Sequence, residues 1–213
     1  MKRLVLSACL FLLSLPLQAA DSGVARMDQF LKNVQSLKAD FSQVVLDANG
    51  KQVKQSTGTL VIRRPDHFRW DYAMPNAEVI VADGKRLWLY DVELQQVTVK
   101  PLDKTLATSP AVLLSGSNDA AKSFTVTDQG EKDGLAWVQL TPKVKDSDFD
   151  SVRLGFKGED VSVMELKDNL GNTTRISFDH IQRNPAVSDD TFHFVPPAGA
   201  DVLGDAGDDK AHG

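Results

Sequence analysis

The chain has 213 residues, a formal net charge of −5 and one cysteine, Cys9. An acidic balance excludes a nucleic-acid binder, which needs a basic face, and no basic amphipathic stretch marks a membrane-surface protein. Residues 21–213 hold no thiol, so disulfides, thiol nucleophiles and thiolate metal sites are excluded there and the domain depends on its core.

The first element decides the compartment. Lys2 and Arg3 precede an almost wholly apolar run from Leu4 to Leu17, with Pro16 near its end and Ala19-Ala20 after it. That is the layout of a cleaved secretory signal, too short for a comfortable membrane span. Residues 1–20 are expected to be removed, leaving a periplasmic chain that starts near Asp21. Leu6-Ser7-Ala8-Cys9 has the local form of a lipoprotein cleavage site, but only Leu4 to Ala8 precede it, and a signal core needs about 7–15 apolar residues before the cut. Cys9 is therefore read as part of the signal, not as a lipid anchor.

A helix opens the mature chain. Met27, Phe30, Leu31, Val34 and Leu37 recur at three- and four-residue steps, with Asp21 or Ser22 placed to cap the start. After Ala39 the period changes to two. Strands are predicted at 41–46, 57–64, 67–72, 78–82, 87–90, 95–99, 123–127, 135–141, 151–157, 161–167 and 173–182, with Gly50, Gly84 and Gly171 in the turns. Residues 101–120 interrupt the pattern. Pro101 and Pro110 punctuate them, and Ala111 to Leu114 reads as a short apolar helix, a candidate lid. Phe192-His-Phe-Val195 with Pro196-Pro197 closes the fold, and the chain beyond about Val202 is expected to be loose. One domain over 21–203, built on a largely antiparallel sheet, with a disordered tail at 204–213, is the simplest organisation.

Catalytic constellations are missing from the sequence. His67, His180, His193 and His212 have no metal-ligand spacing, and no nucleophile elbow, phosphate loop or dinucleotide fingerprint occurs. The pairs Asp146/Asp148 and Asp189/Asp190 lie in polar, loop-like stretches and read as solvated turns. The expectation is a protein without catalytic residues, metal or cofactor.

What stands out is a surplus of large apolar residues in strands. Arg64 falls in phase with Leu60 and Ile62, where a guanidinium is costly without partners. It is either solvated at a sheet rim, since Pro65 marks a strand end, or bonded to carbonyls at a helix end or loop. Phe68, Trp70 and Tyr72 share one face, as core or as the lining of a cavity.

Several stretches carry a family resemblance: Phe41-Ser-Gln43, Gly58-Thr-Leu-Val-Ile-Arg-Arg-Pro65, Phe68-Arg-Trp70, Asp83-Gly-Lys-Arg-Leu-Trp-Leu-Tyr90 and Phe192-His-Phe-Val-Pro-Pro197. In this order the chain resembles the LolA family of periplasmic lipoprotein carriers over essentially the whole mature length. The acidic, Gly-rich C-terminus departs from the pattern. The resemblance implies an α+β fold, an incomplete antiparallel β-barrel (a curved sheet) covered by an α-helical lid over a hydrophobic cavity. It implies a monomeric chaperone that takes outer-membrane-directed lipoproteins from an ATP-driven inner-membrane releasing complex. Delivery is to an outer-membrane lipoprotein receptor of similar fold. The family's lid-locking arginine falls on Arg64, its cavity aromatics on Phe68 and Trp70, and a lid-facing apolar residue on Leu31. Acyl chains would then be shielded by Leu60, Ile62, Phe68, Trp70 and Leu87 or Trp88. Met164, Leu166 and Ile176 would contribute to the same half-barrel, and Leu113 from the insertion. A lipocalin-like carrier of small apolar ligands, a lipoprotein-sensing regulator of related fold (which would carry a further C-terminal domain) and an esterase are the competing readings.

Overall fold

The computed structural model describes residues 22–73, 76–102, 114–116, 120–144, 147 and 149–204. Helix α1 spans Gly23–Asn33. The Ser22 hydroxyl accepts the Ala25 N–H at 3.2 Å, satisfying one of the free donors at the helix start. Gly23 donates its N–H to Asp128 at 3.0 Å, and a Cβ there would lie 2.3 Å from the Trp137 carbonyl oxygen. Glycine thus lets the helix start lie directly on a strand. The helix ends earlier than its apolar stripe suggests. Asn184 accepts the Gln35 N–H at 2.7 Å and donates to the Asn33 carbonyl at 3.0 Å. Leu37 then enters a strand, where it is buried.

The strands form one sheet. In chain order they are β1 (Ser36–Leu46), β2 (Gln52–Arg63), β3 (His67–Tyr72), β4 (Glu78–Asp83), β5 (Arg86–Asp91), β6 (Gln96–Pro101), β7 (Phe124–Lys132), β8 (Leu135–Pro142), β9 (Phe149–Lys157), β10 (Asp160–Asp168), β11 (Thr173–Arg183) and β12 (Asp201–Gly204). Their order across the sheet is β12-β6-β5-β4-β3-β2-β1-β11-β10-β9-β8-β7. Alternation located the first eleven, although β2 begins five residues earlier than predicted. Gln52 to Ser56 is polar and exposed there, and its pairing with Gln43 to Leu46 of β1 makes it a strand. The last strand, β12, was not anticipated. Asp201 to Gly204 run parallel to Gln96 to Val99, so Leu203 and Gly204 are paired where a loose tail was expected.

The sheet is open, with β12 and β7 at its edges, and curved: both halves contribute to one cluster beneath α1. Phe30, Leu31, Leu60, Phe68, Leu154 and Met164 belong to that inner cluster. A second cluster lies on the outer face of β4 to β6. Val81, Trp88, Val97, Val99 and Phe192 pack there beneath the segment that follows β11.

Candidate functional site

Strand register arranges the inner face in rows. One row is Leu37, Ile62, Phe68, Ala82 and Leu87; the next is Ala39, Leu60, Trp70, Ile80 and Leu89. Then come Phe178, Phe41, Gly58 and Tyr72, and beyond them Gln43, Ile176, Met164 and Leu154. Gly58 is required in the third row. A Cβ there would meet the Asp71 carbonyl oxygen at 1.9 Å and the Phe41 ring at 2.7 Å. The space it leaves is filled by aromatic rings: Phe41 meets Trp70 and Tyr72 edge-on, each with centroids 5.1 Å apart, and Trp70 meets Phe178 at 6.2 Å.

The structure brings most of the expected lining residues together. Leu31, Leu60, Ile62, Phe68, Trp70, Leu87, Met164 and Ile176 are buried in the one inner cluster, and Leu166 packs half-buried against it. Leu87 and Trp88 are now separated: Leu87 faces inward, Trp88 outward. Leu113 and most of the 101–120 insertion lie outside the described residues, as do Asp146 and Asp148. The expected side chains do not border a hollow among the described residues. None of the eight is more than 5% exposed, and Phe30 and Leu114 belong to the same cluster. Apolar side chains drawn from water close on one another for the same reason that they would shelter a ligand.

Arg64 sits at the end of this face and joins its covers. Its Nε donates to the Val34 carbonyl, at the end of α1, at 2.8 Å, and its Nη1 donates to the Gly116 carbonyl at 3.0 Å. Its guanidinium lies 5.5 Å from the Phe30 ring centroid. Burial pulls its pKa down to about 10, which leaves it charged at neutral pH. Two backbone bonds reinforce the junction: the Arg64 N–H reaches the Gln35 carbonyl at 2.8 Å, and the Asp66 N–H reaches the Ser115 carbonyl at 2.9 Å. Of the two sequence readings of Arg64, carbonyl partners at a helix end and a loop describe what is seen. Phe30, Val34 and Gly116 were not among the predicted site residues. Phe30 was legible in the helix stripe, whereas no sequence signal marks a backbone carbonyl as a partner.

At the opposite end the face becomes polar. The Tyr72 hydroxyl donates to Gln43 Oε1 at 3.0 Å, and burial, with the charge of Glu78, pushes its pKa up. Burial also raises the Glu78 carboxyl, against the pull of Lys54. A recess of about 410 Å³ opens nearby, walled by Lys54, Asn76, Glu78, Asp91 and Glu93. Its charges make it unsuited to an acyl chain. Asp189 and Asp190 lie in a 3-10 turn, where Asp189 pairs with Arg63. His67 contacts the Pro65 carbonyl and exposed His180 contacts Asp40, so these two histidines do not converge.

The family described as "Outer membrane lipoprotein carrier protein LolA" matches residues 32–195. The outer-membrane lipoprotein carrier protein of Dechloromonas aromatica (strain RCB) is 51% identical over 201 residues, covering 94% of this chain and 96% of that one. The protein of the same description from Methylobacillus flagellatus is 45% identical over 205 residues, covering 96% of this chain and all of the relative. Two solved structures share the fold at low identity. A conserved protein from Thermus thermophilus has a TM-score of 0.55 at 13% identity, covering 84% of this chain and 96% of that one. A LolA superfamily protein from Nitrosomonas europaea has a TM-score of 0.50 at 9% identity, covering 82% and 99%. With its family profile matched across most of the sheet and half of its residues shared with a full-length carrier, this chain belongs to the LolA family of outer-membrane lipoprotein carrier proteins.

Proposed function

We propose that this chain is a periplasmic chaperone that carries lipoproteins from the inner membrane to an outer-membrane receptor, sheltering their acyl chains on the inner face of the sheet. The observation that carries the reading is Arg64, whose guanidinium ties the end of α1 to the 114–116 segment. In this reading α1 and the 101–120 insertion form the lid, and cargo enters when Phe30, Leu31 and Leu114 lift from the sheet. An ATP-driven releasing complex in the inner membrane loads the carrier, and a receptor of similar fold unloads it.

The energetics explain why such a lock is useful. Exposing acyl chains to water costs about 0.8 kcal/mol per CH₂. Full burial of several chains would amount to tens of kcal/mol, beyond any observed non-covalent affinity and incompatible with release. Cargo must displace the closed contacts, so their stability subtracts from its apparent affinity. Burial of the chains is therefore partial, and the closed state's hydrogen bonds from a charged donor, worth about 1.5–3 kcal/mol, lower the apparent affinity further.

Incubation of the purified protein with inner-membrane spheroplasts tests the proposal. Soluble lipoprotein complexes are expected with the wild type and not with Phe68→Glu, whose carboxylate would face the chains. Binding of a free apolar dye without any lipoprotein complex would favour a lipocalin-like carrier instead.

A further inference from the structure

The three tryptophans of this chain differ in one respect. Trp88 donates its indole N–H to Asp83 at 2.8 Å, and Trp137 donates to the Lys132 carbonyl at 3.2 Å. Trp70 is equally buried, at 4% exposure, yet its Nε1 has no acceptor among the described residues. A buried donor without an acceptor is rare in native proteins and calls for an explanation. Packing alone does not supply one, because a phenylalanine could occupy the site between Phe41, Tyr72 and Phe178 with no unsatisfied group.

Position along the inner face suggests what the N–H is for. Trp70 lies between the apolar row of Ile62, Phe68 and Leu87 and the row of Tyr72, whose hydroxyl donates to Gln43. Successive rows are separated by two strand residues, about 7 Å. A ligand with long hydrocarbon chains and a polar head would place its first polar atoms against a donor that the apolar lining leaves unsatisfied. In an O-acylated lipid those atoms are ester carbonyl oxygens, which accept hydrogen bonds and cannot donate them.

We propose that the Trp70 indole N–H is the polar anchor of the acyl site, donating to an ester carbonyl of the bound diacyl group and setting how deep the chains run. This inference rests on the carrier reading above. It makes the protein selective for acyl esters over alkyl ethers of the same length, a distinction that purely apolar shelter cannot make.

The test compares two probes on the full-length mature protein: a peptide with an N-terminal S-(dipalmitoyloxypropyl)cysteine, and its dihexadecyl ether counterpart. The wild type is expected to bind the diester about three- to tenfold more tightly, the range of one net hydrogen bond. Trp70→Phe should bind both probes with the affinity that the wild type shows for the ether. Equal wild-type affinities, or a preference that survives Trp70→Phe, would overturn the anchor while leaving the shelter standing. Binding of neither probe would overturn the carrier reading and the anchor with it. An independent measurement needs no variant: the ¹⁵N-labelled Trp70 indole resonance should shift with the diester and not with the ether. An indole signal that responds alike to both refutes the proposal.

Discussion

Strands β4 to β6 are apolar on both faces, and the two faces are covered differently. On the outer face, Val81, Trp88, Val97 and Val99 lie beneath Phe192, with Phe194 against Trp88 at 5.6 Å between centroids. That cover ends in β12, whose backbone pairs with β6, so it is part of the sheet itself. On the inner face, α1 is bonded at its start by Gly23 to Asp128 and Arg26 to Gly158 and at its end by Asn184, and the bonds reaching the 114–116 segment include those from the Arg64 side chain and the Asp66 N–H. A strand ladder releases cooperatively or not at all, whereas separate side-chain bonds can be exchanged one by one for ligand contacts. Under the proposed carrier function, the outer cover stays in place and the inner one opens.

Truncation of the outer cover should have the largest effect. Phe192→Ala removes a fully buried ring and should cost about 3–5 kcal/mol in urea unfolding, while the fraction that remains folded still transfers lipoprotein normally. A parallel loss of transfer would mean that the faces are not independent. Arg64→Leu addresses the inner cover. Loss of its charge-assisted bonds should tighten lipoprotein binding by about ten- to a hundredfold and slow release to the receptor. Transfer rates equal to those of the wild type would remove the lock from the mechanism. Gly58→Ala tests how closely the inner rows are packed. Its methyl group would press on the Asp71 carbonyl and the Phe41 ring, and urea unfolding should register a loss of about 1–3 kcal/mol.

The smallest effect concerns a polar pin on the outer face. Burial acts to raise the Asp83 carboxyl, but the Trp88 indole, the Arg86 and Lys85 backbone N–H groups and the Arg86 charge together hold it below the usual carboxylate range. A depressed carboxylate stabilises the fold above its unfolded pKa, about 3.9, and that contribution is lost as pH falls through the folded value. Asp83→Asn should therefore cost about 1 kcal/mol at pH 7. The gap between variant and wild type should narrow below about pH 4. A constant gap across that range would assign the effect to packing alone.

Strand alternation made β3 legible to the residue and located β4, β5 and β8 to within one residue at each end, because each carries apolar side chains in register between clear turns. It could not tell Leu87 from Trp88. Both faces of β5 are apolar, so the period identifies two sets of side chains without saying which set faces the helix. The same ambiguity extended α1 too far, since Leu37 fits a helical stripe and a strand row equally well, and Asn184, about 150 residues away, decides the matter. At the site, the aromatic and aliphatic residues were readable as chemistry. The partners of Arg64 were not, because any carbonyl looks like any other in a sequence.

By itself, the order of residues specified a strand-rich chain with no thiol in the domain, a helix at its start, an arginine in an apolar phase and the segments that mark its family. Those features depend on neighbours a few positions apart. Tertiary structure decided which face is inner, how β1 meets β11, where β12 docks and that Arg64 bridges Val34 to Gly116. Each of these joins groups 30 or more residues apart in the chain, and only folding brings them within hydrogen-bonding reach.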